Sequence, residues 1–177
     1  MKKGKVMKAL VMLVMLLASV AVSAQETAQP KSPAPQLEFV MQLNVSVGEA
    51  YAVGTVPQGH RQIIPITGGS FAGPLIRGEV LNGGADYQLS TDGGGRTQLE
   101  AIYSIRTDDG VNIHVRNMGL ICNGKDAQGN ASFYFRAAPR FEAPLDSKYA
   151  WLNDAIYVCV PSFGKTGTII LDVWKVK

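Results

Sequence analysis

The stretch GGSFAGPLIRGEVLNGGADYQL, from Gly68 to Leu89, decides between a catalytic loop and a bend in a sheet. It carries six glycines, one proline and a single Asp86 among mostly apolar residues. Gly73 and Gly78 have the spacing of a phosphate-binding loop, but Glu and Val follow where lysine and a hydroxyl residue are needed. The stretch also lacks the patterns of a dinucleotide site and of a nucleophile elbow. Its glycines therefore indicate corners and bulges between strands.

Apolar residues alternate with mostly polar ones after Leu37, and this period of two is typical of β-strands. β-branched and aromatic residues dominate these runs, and Gly, Asp and Asn separate them. The one helical piece that we expect is short, near Ser147 to Asn153. Glycine corners favour a closed or strongly coiled sheet. The sequence thus predicts an all-β domain over residues 37–177, built as a single antiparallel β-barrel.

One hairpin can be predicted in detail, around Asp108-Asp109-Gly110. A three-residue loop with a left-handed Gly110 pairs Ile105 with Ile113 and Tyr103 with Val115. A two-residue turn would pair apolar with polar residues instead. Because register follows the buried pattern, we expect the three-residue loop, with His114 and Arg116 on the opposite face.

Residues 1–24 have the pattern of a cleaved secretory signal, in which four lysines precede an apolar run and small residues. The alternative is an uncleaved anchor, but the apolar run is short for a membrane span. Cleavage would lower the formal charge from +3 to about −1 (3 − 4), which disfavours nucleic acid as a partner. Residues 25–36 are rich in proline and predict a flexible linker. We expect an exported protein, periplasmic or extracellular, without membrane contact after cleavage.

Several separated blocks together resemble the DUF3237 family, also called UPF0311. They are the Gly68–Leu89 stretch, Asp92-Gly93, YSIRTDDGVNIHVRNMG, FYFRAAPRFE and YAWLN. The resemblance covers most of the chain after residue 24 and implies a small antiparallel barrel of the allene oxide cyclase or lipocalin kind. It implies no settled activity.

The chain departs from the family pattern at Ile102, where relatives usually carry Arg before the tyrosine. If that Arg and Arg116 form an anion site in relatives, the site keeps only one cation here.

Six residues are predicted to contact a ligand through charge, amide or aromatic groups: Asp86, Arg116, Arg140, Glu142, Trp151 and Asn153. Each has a structural alternative. Asp86 could cap its turn, Arg140 and Glu142 could form an ion pair that closes the barrel end, and Trp151 could be part of a plug.

The leading hypothesis is an exported barrel that binds a small organic molecule. The first alternative is a cofactor-free isomerase, cyclase or lyase, with Asp86 or Glu142 moving a proton and Tyr103 or Arg116 stabilising negative charge. The second is a structural or homo-oligomeric barrel without a site.

Metals and covalent links add little to these hypotheses. The two histidines and two cysteines show no metal-ligand spacing, so we expect no metal. An oxidising compartment makes a disulfide between Cys122 and Cys159 plausible, against the alternative of buried thiols on strands that never meet.

Overall fold

The structure is a computed structural model that describes residues 29–177. The predicted signal, residues 1–24, and the first part of the predicted linker, residues 25–28, lie outside the described residues. Residues 29–36 form no helix or strand. The compact unit runs from Pro35 to Lys177. No helix in the described part of the chain is both long and apolar enough to cross a membrane.

Ten strands follow one another within residues 29–177. Their bounds are β1 Leu37–Val47, β2 Tyr51–Val56, β3 Gly59–Ala72, β4 Arg77–Val80, β5 Ala85–Thr91, β6 Arg96–Thr107, β7 Asn112–Lys125, β8 Ala131–Glu142, β9 Tyr157–Phe163 and β10 Thr168–Val176. Two short 3-10 segments, Asp92–Gly94 and Ala150–Asp154, lie between them.

The strands close into an antiparallel barrel, which confirms the predicted fold class. The sheet runs β1-β10-β9-β8-β7-β6 and then returns through β4 and β5 to β3, and β3 pairs with β1. Because β4 and β5 share the space between β6 and β3, and β2 pairs only with β3, the closed wall has 8 strand positions.

Glycines at the closure answer the question raised by the Gly68–Leu89 stretch. Gly69 pairs with Val45 where β3 meets β1, and it has a φ of +137°. A Cβ atom there would lie 2.0 Å from the backbone oxygen of Asn44. A Cβ atom added at Gly84, just before β5, would likewise lie 2.1 Å from the backbone oxygen of Ile102. The glycines thus allow two backbones to approach and the wall to close.

The predicted hairpin register is confirmed. Ile105 pairs with Ile113 and Tyr103 with Val115, while Ser104 pairs with His114 on the other face. Gly110 has a φ of +86°, as the three-residue loop requires. Since Ile105, Ile113 and Val115 have no exposed surface, this apolar face is the one that points into the barrel.

One end of the barrel is filled with large side chains. The end plug, Ala150–Asp154, lies there and buries Leu152 among the core residues. The hydroxyl of Tyr149, just before the plug, donates a 2.7 Å hydrogen bond to Asp109 in the β6–β7 turn. The predicted helical piece therefore exists as a 3-10 segment, and it closes the end at which β6 ends.

Candidate functional site

The opposite half of the barrel is hollow. A cavity of about 140 Å³ lies inside the wall, and nearly all of its lining is apolar. Small side chains create the space, because Ala101, Gly119 and Ala137 face inward on three neighbouring strands. Phe163 also lines the cavity and is 67% exposed, so the cavity reaches the surface beside it. We call this space the barrel cavity.

Four polar side chains interrupt the apolar lining of the barrel cavity: Asp86, Gln88, Tyr103 and Asn117. Asp86 and Gln88 share a face of β5 because they are two residues apart. Tyr103 lies on β6, and Asn117 pairs with Ala101 from β7. No Lys, Arg or His of residues 29–177 lines the cavity. The site therefore offers neutral polar groups and one carboxyl, without a cation.

Asp86 is held by two hydrogen bonds. The side-chain amide of Gln88 donates to its Oδ2 at 2.8 Å, and the backbone N–H of Glu100 donates to its Oδ1 at 3.1 Å. Burial nevertheless raises the pKa of Asp86, because desolvation of the charged form outweighs these two bonds, which lower it. A carboxyl of this kind exchanges a proton more readily near neutral pH than an ordinary Asp does.

Asn117 carries a buried acceptor without a partner. The residue is 6% exposed, and its Oδ1 accepts no hydrogen bond from residues 29–177. Its neighbours on the two adjacent strands are Ala101 and Pro139, and neither side chain can donate. A buried unpaired acceptor is costly, so this atom is suited to a donor supplied by a ligand.

Tyr103 completes the polar lining. It is buried, and burial is the first cause that raises the pKa of its hydroxyl above the ordinary value. The hydroxyl is therefore neutral at physiological pH and can act as a hydrogen-bond donor or acceptor. Of the predicted residues, the structure brings Asp86 and Tyr103 to one cavity.

The structure does not bring Arg116, Arg140 and Glu142 to that cavity. Arg116 donates through Nε to Glu100 at 2.9 Å on the outer face of the barrel. Arg140 pairs with Arg116 across β7 and β8, and both Arg140 and Glu142 are exposed. Arg116 and Glu142 therefore do not share a space with Asp86, because alternate residues of a strand face opposite sides and Tyr103 and Val115 take the inward side.

Trp151 and Asn153 have structural positions at the other end. Trp151 is half-buried against the core within the end plug. The side chain of Asn153 accepts a 2.8 Å hydrogen bond from the backbone N–H of Ala143 and donates to its carbonyl at 2.9 Å. The pair of bonds ties the plug to the chain just after the end of β8.

The two cysteines do not pair. Cys159 is buried and lies opposite Ala137, whereas Cys122 is half-buried and lies opposite Tyr134 on the far side of β8. The disulfide hypothesis is therefore wrong for this structure, since β8 separates the two strands. Of the two expected buried thiols, only Cys159 is one. Among residues 29–177, no three His, Cys, Asp or Glu side chains form a group that could hold a metal ion.

Asn117 and Gln88 are the site residues that the sequence reasoning missed. Asn117 lies two residues after Val115, so the predicted hairpin already placed it on the face of Tyr103. The signal was its position on the same strand face as Val115, and that position becomes informative once the inward face is known. Gln88 has the same relation to Asp86 on β5.

Comparison with known proteins identifies the family of this barrel. The model of the DUF3237 family, described as a protein of unknown function, matches residues 35–176. The chain belongs to the DUF3237 family. The resemblance stated from the sequence is thereby confirmed.

Three relatives illustrate what the DUF3237 chain is similar to. A UPF0311 protein of Clostridium acetobutylicum is 35% identical over 136 residues, which are 71% of this chain and 84% of that protein. A conserved protein of unknown function from Rhodopseudomonas palustris has a crystal structure with a TM-score of 0.72, at 30% identity. That match covers 82% of this chain and 100% of the other.

The third relative carries an activity in its name. A hydroalkoxylation enzyme of Penicillium herquei is 35% identical over 106 residues, which are 59% of this chain and 69% of that protein. The crystal structure of an enzyme from the same fungus has a TM-score of 0.64 at 26% identity, and the match covers 85% of this chain and 100% of that one.

Proposed function

We propose that the barrel cavity binds a small, neutral and mostly apolar molecule that carries a hydroxyl group. The observation that carries this proposal is that Oδ1 of Asn117 has no hydrogen-bond partner among residues 29–177 and lies in a mostly apolar cavity. A hydroxyl donor would give this buried acceptor a hydrogen bond, and that bond would contribute to the binding free energy. The absence of a cationic side chain from the described lining disfavours carboxylates and phosphates as ligands.

The cavity volume sets the size of the buried group. An engineered protein cavity of about 150 Å³ holds one benzene molecule, so about 140 Å³ suits a single six-membered ring. Phenol is therefore a suitable probe, because it combines one ring with one donor. Anisole is the matched control, since it has the same ring and lacks the donor.

The test is calorimetric titration of the purified protein with phenol, anisole and benzoate. We expect phenol to bind roughly tenfold more tightly than anisole, and benzoate not to bind. Asn117→Leu should remove the preference for phenol, whereas Glu142→Gln on the outer face should leave it unchanged. Equal affinities for phenol and anisole would contradict the role of Asn117, and no binding of either would contradict the cavity as a site.

A second candidate function is acid–base catalysis by Asp86. The raised pKa of the carboxyl and the relation to a hydroalkoxylation enzyme favour it. Hydroalkoxylation adds an O–H bond across a C=C bond: the O–H bond and the π bond break, and one C–O bond and one C–H bond form. Protonated Asp86 would give its proton to an alkene carbon and would take the hydroxyl proton back on its other oxygen. Atoms balance without an oxidant or reductant.

The catalytic candidate is tested with ortho-alkenyl phenols that bind the protein, by following cyclic ether formation by chromatography. Asp86→Asn should abolish turnover and keep phenol binding. If wild-type protein binds these compounds and converts none of them, catalysis of this kind is excluded and the binding proposal stands.

Export remains part of the proposal and rests on residues 1–24. Mass spectrometry of the protein secreted by its own host should give a mature chain that begins at Gln25. An intact Met1 in the native protein would contradict it.

A further inference from the structure

The backbone ladder of the barrel wall has a gap between β8 and β9, although the two strands lie side by side. In the described part of the chain, the ladder between these strands consists of one residue pair, Ala137 with Cys159. Each of the two strands contains a proline near this pair, Pro139 and Pro161, and proline cannot donate to a sheet ladder. Beyond the pair, β8 continues through residues 131–136 with partners only on β7.

Aromatic rings pack against each other across the two strands where the ladder is interrupted. The ring centroids of Phe135 and Phe163 are 5.8 Å apart, and those of Phe133 and Phe163 are 6.5 Å apart, both at tilted angles. Phe133 is 58% exposed, which is unusual for a phenylalanine in a strand. We call these three residues the seam cluster.

The seam cluster is continuous with the barrel cavity. Phe135, Phe163, Ala137 and Pro161 all line the cavity and also flank the gap. A ring bound in the cavity with its hydroxyl at Asn117 therefore has a path of apolar surface leading outward between the two strands.

We propose that the seam cluster is an aromatic subsite, and that its exposed rings bind the second ring of a planar, neutral ligand whose first ring occupies the barrel cavity. This inference rests on the proposed function. The cavity has room for one ring and reaches the surface beside Phe163, so a larger ligand would extend outward at the seam cluster. Phe133 and Phe163 then bury their exposed faces against the second ring, with the offset or edge-to-face geometry that aromatic groups prefer.

The test compares 2-naphthol with phenol. 2-Naphthol has the same hydroxyl and a second fused ring, and its fluorescence reports binding, while phenol is followed by calorimetry. Phe133→Ala, at the seam-cluster residue that does not line the cavity, should weaken 2-naphthol binding roughly tenfold and leave phenol binding within about twofold. Leu145→Ala, which shortens an exposed apolar side chain outside the seam cluster, is the matched control and should change neither affinity.

The outcomes separate the two proposals. If phenol binds and 2-naphthol does not, the subsite is overturned and the cavity proposal stands. Equal losses for both probes in Phe133→Ala also overturn the subsite, because they would show that Phe133 acts on the cavity and not on the second ring. If Phe133→Ala changes the oligomeric state in sedimentation and leaves both affinities unchanged, the seam cluster is an interface between copies of the chain, and the subsite is again overturned. If neither probe binds, both proposals fail.

Discussion

Replacing Asn117 by leucine is expected to stabilise the protein and to remove its preference for ligands that carry a hydroxyl group. Leucine has the same branching at Cγ, and the adjacent cavity of about 140 Å³ provides room for its larger side chain. The Oδ1 of Asn117 has no partner among residues 29–177, and such an atom costs roughly 1–3 kcal/mol of folding free energy. We therefore expect the free energy of unfolding to rise by about 1–3 kcal/mol.

Asn153 provides a matched control for this substitution. Its side chain makes two hydrogen bonds to the backbone of Ala143, at 2.8 and 2.9 Å. Asn153 is exposed, but Asn153→Leu leaves the N–H and C=O of the buried Ala143 without these two bonds, so the free energy of unfolding should fall by about 1–2 kcal/mol. The same chemical change is thus expected to have opposite signs at the two positions.

The assay is urea unfolding followed by the fluorescence of Trp151 and Trp174, with equal m-values required for the comparison. A fall in the unfolding free energy of Asn117→Leu, at an unchanged m-value, would refute the reasoning. It would mean that Oδ1 is satisfied in solution, and that this atom does not await a ligand.

Three further predictions address other parts of the barrel. Burial raises the folded-state pKa of Asp86, so wild-type stability should fall as the pH rises from the unfolded pKa through the folded pKa. Asp86→Asn should therefore be more stable than wild type at pH 7 but not at pH 3. An equal gain in stability at both pH values would contradict this prediction. Gly69→Ala should lower the free energy of unfolding by several kcal/mol or prevent folding, because its Cβ would lie 2.0 Å from a backbone oxygen. Gly124→Ala is the control, because an added Cβ has no atom within 4 Å, and it should change stability by less than about 0.5 kcal/mol in thermal unfolding. In the native protein only Cys122 should react with a thiol reagent at pH 8, because Cys159 has no exposed surface and burial raises its pKa to about 12. A reaction that persists in Cys122→Ser would contradict this prediction.

The fold was largely predictable because its determinants are local. Matching Ile105 to Ile113 fixed the register of the β6–β7 hairpin, and that register is observed. The identity of the inward face was not predictable from one hairpin, since both faces of a strand alternate equally. Because the inward face was not known, Arg116 was predicted as a ligand contact, and Asn117, two residues after Val115 on the same strand face, was missed. The single-pair ladder between β8 and β9 depends on residues 22 apart in the chain (159 − 137), and no local pattern reveals it.

The hollow half of the barrel follows from side-chain size along the inward faces. Near the end plug these faces carry Met41, Phe71, Phe141 and Tyr157, which fill the barrel from opposite walls. Farther along β6, β7 and β8 they carry Ala101, Gly119 and Ala137, and a Cβ added at Gly119 would lie only 3.0 Å from Leu99 and 3.2 Å from Ala137. The wall there is already tight between neighbouring strands, so larger residues could not simply be added at Gly119 to fill the space. The same small residues therefore produce both the close packing of neighbouring strands and the cavity. The cavity is a consequence of the side chains on the inward faces and not of poor packing.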